Sequence, residues 1–372
     1  MEVLAYYTFG LLVAIVATIV ARYRRRRQID HDLDAWARAL GLVRVGNDLF
    51  GQREGMPVGA RLALDAPKGQ WARWTVHARL QPPLDLGLSI HTGRHEVEDV
   101  TKGASLVVTG DAEFDKRFVV RGDEPERVRA LLDPPLRQRL VRQLHPGALF
   151  MVTDQGVAMQ VPRPHANLEW FTRALNTLTG IASGVNRARS NVPVAAVLQR
   201  HRTSWAAFAS SQMLHGISAP LCMWGRLRGA TVFAYSVRLG PGDLCLEIWL
   251  RFQEPLGLGV LLQPKRTVDR VKELFGADDH ELGDPVFDET FLLRLSDVEA
   301  TEALLDEPLR KRLLAIHSTV GPLSLTDDGL LVRLPTVPLD PAVVPNKVGH
   351  LLELAREIAE RRGGQRDGGP YR

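Results

Sequence analysis

Cysteine is nearly absent from this chain: two occur in 372 residues, Cys222 and Cys245. Two isolated thiols exclude a disulfide-stapled scaffold, and the lack of any paired C-x-x-C excludes the common structural zinc modules. Both thiols are expected to be small buried hydrophobes. The signatures of widespread chemistries are missing too. There is no G-x-S-x-G nucleophile elbow, no phosphate-cradling G-x-x-x-x-G-K-[ST] and no G-x-G-x-x-G after a strand. These absences count against a common hydrolase, an ATPase and a dinucleotide enzyme. They leave open an enzyme whose site is assembled from scattered residues.

A domain-wide excess of basic charge is also lacking, although the formal charge is +4. Five arginines, Arg22, Arg24, Arg25, Arg26 and Arg27, fall within six residues. Without them the 47 basic residues become 42, against 43 acidic ones. The remainder is neutral, without the footprint that phosphate-backbone binding leaves, so nucleic acid is not an expected partner.

What the chain does contain is one long uncharged run, Val3 to Ala21, VLAYYTFGLLVAIVATIVA. At about 1.5 Å per helical residue, such a run covers roughly the 30 Å hydrocarbon thickness of a bilayer. Tyr6, Tyr7 and Tyr23 stand at its ends, where interfacial aromatics belong. A cleaved secretory signal carries its positive charge before the apolar run. Here Glu2 precedes the run and RYRRRR follows it, so a retained anchor is expected. The basic flank predicts the N-terminus outside and the body in the cytoplasm, at a bacterial inner membrane. The same arginines could attract anionic lipid.

The body is built on a duplication. Sliding Gly110–Pro162 by 173 residues lays it without a gap on Gly283–Pro335, with 20 of the 53 paired positions identical. Both copies read G-D-x-x-F-D-x-x-F-x-x-R, then E-x-x-x-A-L-L-D-x-P-L-R-x-R-L, then T-D-x-G and a closing Pro. Upstream, Phe50-Gly51-x-x-x-Gly55 matches Trp224-Gly225-x-x-x-Gly229, and RLQPPLDLGL matches RFQEPLGLGV. The expected elements of each unit are a strand, turn and strand about the G-x-x-x-G, then two more strands, Trp71 to Leu80 and Leu84 to His91. The second copy offers Cys245 to Phe252 and Leu256 to Leu262 there. Prolines at the turn between them predict an antiparallel meander. A strand from Phe118 or Phe291, two short helices, a T-D-x-G hairpin and a long closing helix follow.

The expected fold is α+β: an N-terminal transmembrane helix and two tandem copies of an antiparallel sheet packed with helices. The expected division is an anchor with basic stop over 1–27, an amphipathic connector helix in 28–48, and repeat 1 over 49–187. A connector over 188–222, repeat 2 over 223–362 and a disordered tail over 363–372 complete it.

The most tempting carboxylates are duplicated: Asp111 and Asp115 in one copy, Asp284 and Asp288 in the other. Two acids four apart could serve as acid and base or bind a divalent cation. They lie between a glycine and a strand, beside Phe114 and Phe118 or Phe287 and Phe291, which read as core. Aspartates there usually bond neighbouring backbone N–H groups, so a structural role is expected. His91-x-x-x-His95-Glu96 has metal-like spacing, but the second copy places Gln263, Thr267 and Val268 there and no third ligand stands out. Asp278-Asp279-His280-Glu281 reads as a solvated loop. No catalytic, cofactor-binding or metal-ligating residue is assigned.

An anchor followed by F-D-x-x-F and L-L-x-x-x-L-R-x-x-L, at Phe114 to Phe118 with Leu131 to Leu140 and again at Phe287 to Phe291 with Leu304 to Leu313, resembles bacterial single-pass membrane proteins of unknown function. The resemblance implies placement at a membrane and no site residue. The expected function is a membrane-tethered cytoplasmic binding or scaffold protein, with a protein or anionic lipid as partner and no cofactor. An enzyme with a site at the junction of the repeats and an inner-leaflet lipid-binding protein are the alternatives.

Overall fold

The computed structural model describes residues 31–45, 48–63, 73–92, 104–143, 149–162, 167–217, 220–240, 243–265, 280–295 and 297–367. The expected anchor, its flanking Arg22, Arg24, Arg25, Arg26 and Arg27, and His95, Glu96, Asp278 and Asp279 lie outside these residues. Among the described residues, no helix is long and apolar enough to cross a membrane. The fold is α+β, with two antiparallel sheets of nine and eight strands. The chain divides into two compact units: Met1–Arg79, His145–Leu149 and Ala158–Gly180 form one, and Leu80–Leu144, Phe150–Val157 and Ile181–Arg372 the other.

In the first unit, helix α1 (31–40) places Leu33, Trp36 and Ala37 on one face, at the spacing an amphipathic helix requires. Leu33 and Ala37 are buried, and Trp36 packs 5.6 Å from Trp74 and 5.0 Å from Phe171 between ring centroids. The helix ends at Gly41, whose φ of 67° is the left-handed cap conformation. Strands β1 (Val43–Val45), β2 (Asp48–Arg53), β3 (Met56–Ala63) and β4 (Arg73–Arg79) follow. Glu54 and Gly55, both at positive φ, make the tight β2–β3 turn.

The second unit holds β5 (Ser89–Thr92), β6 (Ser105–Leu106), α2 (Ala112–Arg117), β7 (Phe118–Gly122), α3 (Pro125–Leu131) and α4 (Pro134–Gln143). Hairpin β8 (Leu149–Thr153) and β9 (Gly156–Pro162) and helix α5 (Leu168–Ala188) complete the first copy. Helix α6 (Gln199–Ser211) leads into the second copy and buries its own Trp205. Next come β10 (His215–Ile217), β11 (Cys222–Leu227), β12 (Ala230–Gly240), β13 (Asp243–Arg251) and β14 (Leu261–Pro264). Helix α7 (Pro285–Thr290), β15 (Phe291–Arg294), α8 (Val298–Leu304) and α9 (Glu307–Thr319) follow. The chain closes with β16 (Leu323–Thr326), β17 (Gly329–Leu334) and α10 (Val343–Asp367).

The strand order of the eight-stranded sheet is β10-β11-β12-β13-β17-β16-β14-β15. That of the nine-stranded sheet is β1-β2-β3-β4-β9-β8-β5-β7-β6. The two chain paths agree strand for strand, β6 being extra. The expected meander is corrected on one point. In the second copy the hairpin β16–β17 inserts between β13 and β14, pairing Ile248 with Val332 on one side and Leu262 with Leu325 on the other. The strands expected from Leu84 and Leu256 are also shorter and begin at Ser89 and Leu261. The intervening backbone N–H groups are drawn off to a carboxylate, so they cannot join a ladder. In the second copy, Ile248, Leu262, Phe287, Leu325, Val332 and Leu351 form one core under helices α7 to α10.

Candidate functional site

The duplicated aspartates occupy the same positions in both copies. Asp111 stands at the N-terminus of α2, where its Oδ1 accepts from Phe114 N at 3.1 Å and its Oδ2 from Arg137 Nε at 3.2 Å. Arg137 Nη1 also donates to the Leu132 carbonyl at 2.6 Å. In the second copy Asp284 accepts from Phe287 N and from Arg310 Nε, both at 3.2 Å, while Arg310 Nη1 reaches the Leu305 carbonyl at 2.8 Å. The N–H bond from the first helical turn, then the arginine, holds Asp111 below the usual carboxylate range. For Asp284 the Phe287 N–H is again the largest cause, with Arg310 adding to it. The caps are therefore present at neutral pH and lost as acid titrates through those depressed values.

Asp115 accepts from Thr109 N and Oγ1 at 3.1 and 2.8 Å and from Gly110 N at 3.0 Å. Asp288 accepts from Leu282 N and Asp284 N, each at 3.0 Å. Phe114 packs on Phe118 with centroids 4.7 Å apart, and Phe287 on Phe291 at 5.0 Å. The motif thus brings its four residues to one corner of each copy, with the acids turned to backbone N–H groups and an arginine and the rings to core. Arg137 and Arg310 belong to that corner and were outside the sequence-derived set. Their signal was the repeated P-L-R.

The T-D-x-G turns carry a second conserved device. Asp154 accepts from Leu86 N, Gly87 N and Leu88 N at 3.3, 2.7 and 3.2 Å. Asp327 accepts from Leu258 N, Gly259 N and Val260 N at 3.1, 2.8 and 3.1 Å. Gly87 and Gly259, at φ of 61° and 62°, let three successive N–H groups converge on one carboxylate. Burial pushes Asp154 up to about 7, with the nearby Asp85 charge adding to the rise and the three N–H bonds opposing it. A raised carboxyl contributes stability that is full below the unfolded value and lost as pH rises to the folded one. Wild-type stability is therefore expected to fall between about pH 4 and pH 7 relative to Asp154→Asn. Parallel denaturation curves across that window check this; an identical slope in the two proteins contradicts it.

The copies differ at a buried cluster that lies wholly within the second unit. Asp85 occupies the place of Gly257 and is 1% exposed. Its Oδ1 accepts from Arg127 Nη2 at 2.6 Å, and its Oδ2 from Ser236 Oγ at 3.0 Å. Arg127, 3% exposed, also donates to the carbonyls of Pro193 and Asp85 and to Glu124 Oε1 at 2.9, 3.2 and 3.1 Å. Arg238 completes the cluster by reaching Glu124 Oε1 at 3.0 Å, Asp123 Oδ2 at 3.2 Å and the Asp85 carbonyl at 3.3 Å. Two arginines and a serine thus bind three carboxylates, and Ser236 and Arg238 of the second copy are tied to the first. None of these residues was singled out from the sequence, because they fall where the copies disagree.

The face of the eight-stranded sheet away from its core carries an aromatic row. His215, Trp224, Phe233 and Trp249 are cross-strand neighbours on β10 to β13, with successive ring centroids 4.4, 5.9 and 5.2 Å apart. Beside it Arg333 Nη2 and Nε grip Glu247 Oε1. Burial, with Glu247 adding, holds Tyr235 well above its usual pKa. Cys222 and Cys245 are both buried free thiols, and burial pushes Cys222 up to about 12. In the first copy the matching row is Val43, Phe50, Gly59 and His77. A Cβ on Gly59 would meet the His77 ring at 2.7 Å, so one imidazole fills the space that Phe233 and Trp249 share in the other copy.

His91 lies on β5, and His280 Nε2 lies 2.8 Å from Glu302 Oε1. Among the described residues no group of three or more His, Cys, Asp or Glu side chains is placed to hold a metal ion.

No family model matches the chain, and no curated protein matches it. Among solved structures it is similar to the mycobacterial trehalose monomycolate transport factor A, TtfA, at a TM-score of 0.34 and 13% identity, over 45% of this chain and 99% of that one.

Proposed function

We propose that the protein is a membrane-tethered cytoplasmic binding or scaffold protein. One observation supports this above the others: among the described residues, the carboxylates that the repeat motif and the buried cluster bring together are held by partners within the fold. Asp115 and Asp288 accept from neighbouring backbone N–H groups, Asp111 and Asp284 from a backbone N–H and an arginine each, and Asp85, Asp123 and Glu124 from arginines. A general acid or base needs reach to a reacting proton; these carboxylates are turned to cap and lock. Duplication followed by divergence of one copy's loops and sheet face is a route to a specific binding surface on a stable frame.

The tether is the Val3 to Ala21 run with its arginine stop, as in the bacterial single-pass proteins that the repeat motif resembles. A C-terminal alkaline phosphatase fusion is expected to be inactive and a C-terminal fluorescent protein fusion bright; phosphatase activity there would contradict the topology. For the scaffold itself, in-cell crosslinking followed by purification from solubilised membranes should recover the same partner in independent preparations. Repeated recovery of the protein by itself would count against the reading.

A further inference from the structure

An arginine late in the closing segment is partnered in the second copy and unpartnered in the first. The buried positions Phe171, Leu175, Leu178, Ile181 and Val185 of α5 align with Val344, Val348, Leu351, Leu354 and Ile358 of α10 at the same offset as the repeat motif, 173 residues. That alignment pairs Arg189 with Arg362. Arg362 is half-buried, and its Nη1 donates to the carbonyl of Pro255, in the loop that precedes Gly257. Arg189 follows α5 in a short 3-10 turn, Arg189–Asn191. It lies near the Cys222 thiol and close enough to Asp85, in the corresponding loop of the first copy, for that carboxylate's charge to act on it. It is 3% exposed, yet its Nε and Nη2 have no hydrogen-bond partner.

A buried guanidinium with empty N–H groups is a costly arrangement, because the cation has lost water and gained no acceptor. The neighbouring acids do not fill it. Both Asp85 oxygens are taken by Arg127 and Ser236, and Glu124 and Asp123 are held by Arg127 and Arg238. Burial pulls Arg189 down to about 10, which leaves it charged at neutral pH. Its planar fork matches two oxygens of a carboxylate, sulfate or phosphate group.

We propose that Arg189 anchors a binding site for a small oxyanion, present in the first copy and absent from the second. The proposal rests on the reading of the protein as a binding module and names the chemistry of its ligand. The oxyanion can be free or the headgroup of an anionic lipid, and the test separates the two.

Full-length protein in detergent is titrated with sodium phosphate and sodium sulfate, against sodium chloride at matched ionic strength, while the thermal midpoint is recorded. A second arm compares nanodiscs of phosphatidylglycerol with nanodiscs of phosphatidylcholine. For a free oxyanion, the midpoint of wild type and of Arg362→Met rises saturably with phosphate or sulfate beyond the chloride control, and Arg189→Met abolishes the rise. For a lipid headgroup, only phosphatidylglycerol raises the midpoint, again through Arg189. Arg189→Lys keeps the charge without the fork and is expected to weaken the response; it also serves if the methionine variant does not fold. Equal responses to chloride and oxyanions together with no lipid preference overturn the proposal, as does a specific response that survives Arg189→Met and Arg189→Lys. These readouts need no protein partner, so failure to recover one leaves them standing.

Discussion

Replacing Arg127 with methionine is expected to cost about 3–5 kcal/mol of unfolding free energy, the range for breaking a buried pair and stranding its charged partner. Asp85 has no route to water at 1% exposure, and its Oδ1 has Arg127 Nη2 as partner. The loss spreads, because the same guanidinium holds the Pro193 carbonyl and Glu124. Arg129→Met on the same helix removes an exposed pair with Glu126 and is expected to change stability by less than about 1 kcal/mol. Adding Asp85→Asn to Arg127→Met should recover part of the deficit, since the stranded charge is gone. Urea denaturation of the four proteins checks the set, and an Arg127 variant as stable as the Arg129 variant contradicts it.

The second large effect is a paired one. Phe114→Ala and Phe287→Ala should each cost about 3–5 kcal/mol, the range for truncating a fully buried aromatic. The two rings are 0% and 1% exposed and each packs on the next phenylalanine of its motif. Because the environments are copies, the two penalties should agree to within about 1 kcal/mol, allowing for the usual dependence on how far a site collapses. A large cost at one position and a negligible one at the other would show that the repeated motif does not do the same packing twice.

The duplication and the α+β architecture were legible because hydrophobic spacing and turn residues are local signals that two copies state twice. The tight turn at Glu54-Gly55, the buried phenylalanines and the amphipathic closing helices all follow from such signals. The insertion of β16–β17 between β13 and β14 was not legible, since strand neighbours are decided by long-range pairing that adjacent sequence does not encode. The loops at Leu84 and Leu256 look like strand in sequence, because their apolar residues alternate with little to interrupt them. What diverts them is a carboxylate about 70 residues downstream. The buried cluster was hidden for a different reason. Comparing copies finds what they share, whereas Asp85, Ser236 and Arg238 matter where the copies differ, and a single Asp for Gly stands out only when its partners are seen in space.

Ser236 and Arg238 of the second copy are fastened to Asp85, Asp123 and Glu124 of the first by a polar cluster whose residues the copies do not share. Asp85 and Ser236, 151 residues apart in sequence and joined by a 3.0 Å hydrogen bond, allow it to be tested directly. A double-mutant cycle with Asp85→Asn and Ser236→Ala, read by urea denaturation, is expected to give a coupling energy of about 1.5–3 kcal/mol, as for a buried hydrogen bond to a charged group. Additive effects of the two substitutions, with no coupling beyond error, would contradict the account.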